Sequence, residues 1–210
     1  MRPRTHLALA LLATIAAAAL IAAVAVGGLG GGSGTSTSPR VDEASRFDGA
    51  ALPLAAPIAN FTLSDQSRRR VSLQDDRGRV TLITSSYSRC GAPCVLIAQQ
   101  VRGALDQLAR PAAVLVVSAA PRSDTPAAAR GFLAAASLTG RAEYLLGPAA
   151  RLPSVWRELG ITPASSGRAA FARAATVLLL DARGRKRVVF GIEQLTPEAL
   201  AHDIRALQGG

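Results

Sequence analysis

The chain has 210 residues, room for one domain with a proper core plus an appendage, so its stability does not require a disulfide scaffold. It carries 24 basic and 14 acidic residues, yet every basic residue except Lys186 is arginine, scattered through an alanine-rich chain in which aromatics make up 4%. That pattern fits compositional bias and a solvated basic surface suited to anionic lipid, and no nucleic-acid partner is expected, because stacking residues are scarce and no nucleic-acid motif is present.

Arg2 and Arg4 precede Leu7 to Gly27, a stretch without charge whose one polar side chain is Thr14. As a helix, these 21 residues would span about 31 Å, the thickness of a bilayer's hydrocarbon core. Positive charge before the span and none after it until Arg40 puts the N-terminus in the cytoplasm and the rest outside. Residues 1–27 are therefore expected to be an uncleaved, single-pass signal-anchor in the cell membrane. The competing expectation is a signal peptide cut near Ala23-Val24-Ala25, which would leave a secreted protein. No cysteine lies in the span, so a lipid-modified anchor is not expected. Residues 28–50 are expected to be a flexible linker, and its glycine, serine and threonine tract reaches roughly 20 Å on average. The folded domain is expected over 51–210.

Phe61 to Ser64 and Arg70 to Leu73 alternate apolar and polar and predict a hairpin. Arg79 to Ser85 predicts a buried strand, and Cys94 to Ala109 a helix with Val95, Ala98, Val101, Leu105 and Leu108 at helical spacing. Ala112 to Ser118 predicts a second buried strand. Thr125 to Ala136 predicts a helix with Asp124 as N-cap and Pro126 in the first turn. A short strand over Glu143 to Leu146 and a helix over Pro148 to Leu159 follow. Thr176 to Leu180 and Arg187 to Phe190 predict a hairpin around Asp181 to Gly184, and Thr196 to Leu207 a closing helix. The order predicts an α/β fold with a mixed central sheet flanked by helices.

Cys90 and Cys94 are the chain's two cysteines, and they fall between the first buried strand and its helix. Cys90 is expected in the loop and Cys94 in the first turn, where the helix dipole favours thiolate. Such a pair serves equally for a redox disulfide or a soft metal ion. A cysteine motif at the end of the first buried strand is the thioredoxin-like arrangement.

From Phe47 to Leu207 the chain resembles the Sco (SenC) family, thioredoxin-fold proteins tied to copper delivery in cytochrome oxidase assembly. The resemblance is carried by Phe61 to Gln66, by Tyr87-Ser88-Arg89-Cys90 with Cys94, and by Ile97 to Gln100. Ser118 to Pro121 with Asp124-Thr125-Pro126, and Leu179 to Gly184, complete it. It implies a copper site of both cysteines and one histidine, but the histidine position falls on Arg173, which is not expected to bind metal. The proline usual after each cysteine is Gly91 and Val95 here, and the acidic residue usual before Pro121 is Ala120. With no imidazole at the site and no methionine in the domain, Cu(I) on Cys90 and Cys94 alone is the most the donor set allows.

Cys90 and Cys94 are thus the expected metal ligands or catalytic thiols, with a cytochrome oxidase subunit or another extracytoplasmic thiol protein as partner. The first functional expectation is a membrane-tethered protein handling Cu(I) or electrons in oxidase assembly. The alternatives are a metal-independent thiol-disulfide oxidoreductase with Cys90 as the attacking thiol, and a non-catalytic assembly factor. A peroxidase ranks last. Tyr87 is expected to shape the site or fill the core, Trp156 to lie in the core, and His202 to be solvated beside acids on the last helix.

Overall fold

The computed structural model describes residues 46–209, so the expected span, and the expected linker up to residue 45, lie outside the described residues. In chain order the strands are β1 (Ala50–Ala51), β2 (Thr62–Ser64), β3 (Arg70–Ser72), β4 (Thr81–Ser86), β5 (Ala113–Ser118), β6 (Glu143–Leu145), β7 (Thr176–Leu180) and β8 (Lys186–Gly191). The helices are α1 (Ala92–Asp106), α2 (Pro126–Ala135), α3 (Leu152–Leu159), α4 (Arg168–Ala174) and α5 (Pro197–Gln208). Strands β2 and β3 form a separate antiparallel pair, and the other six make one mixed sheet in the order β1-β8-β7-β4-β5-β6. Among the described residues no helix is long and apolar enough to cross a membrane.

The central strand is β4, parallel to β5 on one side and antiparallel to β7 on the other, with all six of its residues buried. Alternation sorts its side chains onto two faces. Leu82 joins Val114, Val116 and Leu179 in a core closed by Ile97 and Val101 of α1, Leu133 of α2, Phe171 of α4, and Leu200 and Ile204 of α5. Ile83 joins Leu115, Val117 and Leu178 on the other face, under Leu152, Val155 and Leu159 of α3 and Leu63 and Val71 of the β2–β3 pair. Each such side chain, fully buried, contributes roughly 1.5–3 kcal/mol.

The structure departs from the sequence expectations in four places. Packing begins before Ala51: Phe47 is buried, Ala50 pairs with Val189, and the buried Asp203 carboxylate accepts the Asp48 and Gly49 N–H groups, both at 2.9 Å. Residues 168–174 form α4, which has no visible apolar period because Phe171 is its one large apolar side chain; alanine propensity and the burial of Phe171 hold it. The α2 cap is Thr125, whose Oγ1 accepts the Ala128 N–H at 3.1 Å, and not Asp124. Helix α3 starts at Leu152 because Pro148 to Arg151 form a turn, with the Arg151 N–H donating to the Pro148 carbonyl.

Two turns share one device, an aspartate that binds an arginine four residues on. Asp65 Oδ1 accepts the Ser67 and Arg69 N–H groups at 2.7 and 2.8 Å, and Oδ2 accepts Arg69 Nε–H at 2.8 Å. Asp181 does the same with the Arg183 and Arg185 N–H groups at 2.9 and 3.0 Å and Arg185 Nε–H at 2.8 Å. Burial pulls both carboxyls upward, but these hydrogen bonds outweigh it and leave each below its ordinary value. A depressed folded pKa adds stability above the unfolded value of about 3.9, and that stability is lost as pH falls through the folded one. Replacing both with asparagine should therefore lower the urea midpoint at neutral pH and shrink its further fall in acid. Trp156 fluorescence would follow the unfolding; an unchanged acid slope would sink the assignment.

Candidate functional site

Strand β4 ends at Ser86, and the turn that follows brings the Cys90 N–H onto the Tyr87 carbonyl at 3.0 Å. Gly91 then turns the chain into α1 at φ 75°, ψ −144°, a region that residues with a Cβ avoid and that proline cannot enter. Proline at position 91 would therefore require a different backbone path. Cys94 follows Ala92 and Pro93 in the first turn of α1. Cys90 and Cys94 are joined in a disulfide with their Cα atoms 5.9 Å apart, and both are buried, at 2% and 3% exposure.

As N-cap, Gly91 offers no side-chain acceptor to the first-turn N–H groups of α1. Once the disulfide is reduced, those N–H groups and the positive end of the helix dipole stabilise a thiolate beside them. The rim next to Cys94 is apolar: Val95 is 50% and Leu96 40% exposed.

Asp124, freed from capping by Thr125, ties the cysteine loop to the sheet. Its Oδ1 accepts the Ser88 N–H at 2.7 Å, and its Oδ2 accepts the Ser118 hydroxyl at 2.6 Å and the Tyr144 hydroxyl at 3.2 Å. Burial, and then the Asp124 charge, push the Tyr144 phenol far above its usual range, so it remains a donor throughout the accessible pH range. Trp156 packs half-buried against the core, and its Nε1–H donates to the Ser118 carbonyl at 2.9 Å. One carboxylate thus connects the loop before Cys90 with the end of β5 and the middle of β6. The sequence signal was available: Asp124 and Thr125 are both good caps, and a helix uses one.

Tyr87 packs edge-on against Phe171, ring centroids 4.9 Å apart, which brings α4 to the cysteine end of the sheet. Arg173 is exposed in the last turn of α4, just before β7 starts at that same end, and it forms no ion pair among the described residues. His202 lies on α5, half exposed, with Nδ1 2.9 Å from Asp203 Oδ1 and 3.3 Å from Asp48 Oδ2, in a group unrelated to the dithiol. The chain's other histidine is His6 and its one methionine Met1. Once the disulfide is reduced, the soft donors offered among the described residues are the two sulfurs, a set whose chemistry suits a soft, low-coordinate ion such as Cu(I) and not Cu(II).

Asp124→Ala would leave three donors without their acceptor, at a cost of about 1–3 kcal/mol for each one that stays buried. The Cys90–Cys94 disulfide should then be reduced several-fold faster by dithiothreitol, while Thr125→Ala, which removes only the cap, should leave that rate unchanged. Equal rates in all three proteins would remove Asp124 from the site.

A sequence model of the SCO1/SenC family matches residues 51–209. Among curated protein sequences, none matches the chain closely enough to count as a relative. Among solved structures, the chain is similar to apo Sco1 from Thermus thermophilus, at TM-score 0.63 and 19% identity over 77% of this chain and 96% of that one. It is also similar to copper-bound ScoI from Bradyrhizobium japonicum, at TM-score 0.55 and 24% identity over 71% and 98%. BsSco, studied for a disulfide switch and described as a member of the Sco family of cytochrome c oxidase assembly proteins, aligns at TM-score 0.65 and 17% identity over 74% and 95%. The thioredoxin domain of a Bacteroides vulgatus thiol-disulfide oxidoreductase aligns at TM-score 0.55 and 15% identity over 73% and 96%. At these identities the structures establish a thioredoxin-like fold, and the family match, which spans most of the chain, establishes more: the chain belongs to the SCO1/SenC family.

Proposed function

We propose that this chain is a membrane-tethered, extracytoplasmic Sco protein that serves oxidase assembly through Cys90 and Cys94, cycling between disulfide and dithiol and carrying Cu(I) as cargo on the dithiol. The observation that carries this reading is the Cys90–Cys94 disulfide at the uncapped N-terminus of α1. The copper-bound and disulfide-switch relatives support the two halves of the cycle. The apolar rim at Val95 and Leu96 supports a protein partner, since two adjacent exposed apolar side chains next to the dithiol give a partner's apolar surface something to cover.

The chemistry balances without an added oxidant. The Cys90 thiolate attacks one sulfur of a partner disulfide, forming a mixed disulfide and releasing the partner's other sulfur as thiolate. The Cys94 thiolate then attacks Cys90 Sγ, closes the Cys90–Cys94 disulfide and releases the partner's second thiolate. Two electrons pass from this dithiol to the partner, and the reverse exchange with the dithiol of a second, reducing protein returns two electrons and two protons to Cys90 and Cys94. When Cu(I) is bound instead, the two sulfurs hold it as a soft, low-coordinate ion, and Arg173 offers no lone pair to complete a Cu(II) site.

The reduced full chain, titrated anaerobically, should bind one Cu(I) and lose it in Cys90→Ala, with no thiolate-to-Cu(II) absorption band. Absence of stoichiometric Cu(I) binding, with a measurable Cys90–Cys94 potential, would replace the carrier by a metal-independent oxidoreductase, the reading that the oxidoreductase neighbour favours. Arg173→His should create the Cu(II) band if Arg173 occupies the family's ligand position. Val95→Glu with Leu96→Glu should slow exchange with a protein disulfide roughly tenfold and leave exchange with a small disulfide unaltered, because a buried apolar anchor is worth about 1.4 kcal/mol or more.

A further inference from the structure

The last residue of β4 carries a buried hydroxyl that the exchange chemistry leaves unused. Ser86 is 1% exposed, and its Oγ meets no partner in hydrogen-bonding geometry among the described residues. Buried hydroxyls nearly always have a partner, because each gave up water to get there. The backbone that carries this one is fixed: Ser86 pairs with Ser118 across β4 and β5, and its carbonyl accepts the Ala119 N–H at 2.8 Å.

Alternation puts Ser86 on the same face of β4 as Leu82, the face that α1 covers. There it lines a cavity of about 10 Å³ together with Cys94, Ile97 and Val101 of α1. That is the space of a single water-sized sphere, so the groups around it are near neighbours. The other side-chain hydroxyls around the cavity are committed or turned away. Thr84 Oγ1 donates to the Thr176 carbonyl at 2.9 Å, and alternation turns Ser85 to the opposite face, with Ile83. One neighbour beyond the cavity lining competes for Ser86. Burial and the Asp124 charge push the Tyr144 phenol up while Ser86 draws it partly back, which puts the serine hydroxyl beside the phenol. That phenol already donates to Asp124 Oδ2 at 3.2 Å.

We propose that Ser86 is the hydrogen-bond donor to Cys94 Sγ in the reduced protein, a contact that forms when the disulfide opens and that favours the dithiol. A disulfide sulfur is a poor acceptor; a cysteine sulfur set free by reduction is a better one, the more so as thiolate in a site screened from water. Reduction releases Cys94 Sγ from Cys90, and the Ser86 hydroxyl has only to change rotamer to turn from Tyr144 to the sulfur. The step balances: two electrons and two protons enter, the sulfur–sulfur bond breaks and one O–H···S bond forms, with one proton leaving again to solvent where Cys94 ionises. A donor that engages the reduced state alone makes the disulfide a stronger oxidant, because it stabilises the product of reduction. The inference rests on the redox half of the function proposed above.

The test equilibrates the full chain in detergent with dithiothreitol buffers of graded reduced-to-oxidised ratio at one fixed pH, with free thiols trapped by alkylation and counted by mass. Ser86→Thr keeps the donor, and Ser86→Val has the shape of threonine without it. In Ser86→Val, half-reduction should need a reduced-to-oxidised ratio roughly tenfold higher than in the native chain, about 30 mV, the loss expected of one hydrogen bond to a charged acceptor. Ser86→Thr should stay with the native chain. Three equal ratios would overturn the assignment and leave Ser86 beside Tyr144 in both states. Equal shifts in the threonine and valine variants would overturn it too, since shape and not the hydroxyl would then set the equilibrium. Should Ser86→Val fail to fold, Ser86→Ala carries the same comparison. A native disulfide that does not reduce reversibly would defeat the redox cycle and this contact with it, whereas reversible reduction at equal ratios defeats the contact alone.

Discussion

Strand β4 can occupy only the middle of this sheet. All six of its residues are buried, and both of its edges are hydrogen-bonded, to β5 running parallel and to β7 running antiparallel. A one-residue slip would exchange Leu82 and Ile83 between two different cores, so the register is held from both faces at once. Everything at the cysteine end inherits that certainty. The strand stops at Ser86, and within eight residues the chain has turned through Gly91 and placed Cys94 in a helix whose flank is the larger core.

What the central strand leaves loose, Asp124 gathers. The cysteine loop is exposed at Ser88, Arg89 and Gly91, and its backbone has few partners of its own. A carboxylate from the next βα connection reaches across to the Ser88 N–H while holding Ser118 and Tyr144 with its other oxygen. The same end gathers Phe171 against Tyr87 and Trp156 against Ser118. A reactive disulfide in a glycine-turned loop needs such support, because the freedom that lets the sulfurs exchange also lets them drift.

The two ends of the sheet differ in chemistry. The cysteine end has sulfur, apolar rim residues and exposed arginines at Arg89, Arg168 and Arg173; at the other end Arg183, Arg185 and Arg187 surround Asp181. Arg183, Arg185 and Arg187 are already neighbours in the sequence, and the fold adds Arg46 to them through its bond to the Ala206 carbonyl of α5.

Several features were legible in the amino-acid sequence because they are local. The buried strands announced themselves as apolar runs of strand length, the Asp181 turn by its Asp-x-x-Gly pattern, and the dithiol by the position of its cysteines after the first such run. The family followed from the same short motifs. Helix α4 was not legible, since a seven-residue helix with one large apolar side chain leaves no period to detect. Nor was the role of Asp124, because two adjacent residues had equal claim to one cap and only the surrounding strands give the unused carboxylate something to bind. Sequence alone determined which groups could react: two thiols, with one imidazole, His202, and no thioether among residues 46–209. Tertiary structure decided how they are held and what faces them, because a carboxylate 34 residues from Cys90 in the chain becomes its neighbour only when β4 and β5 lie side by side.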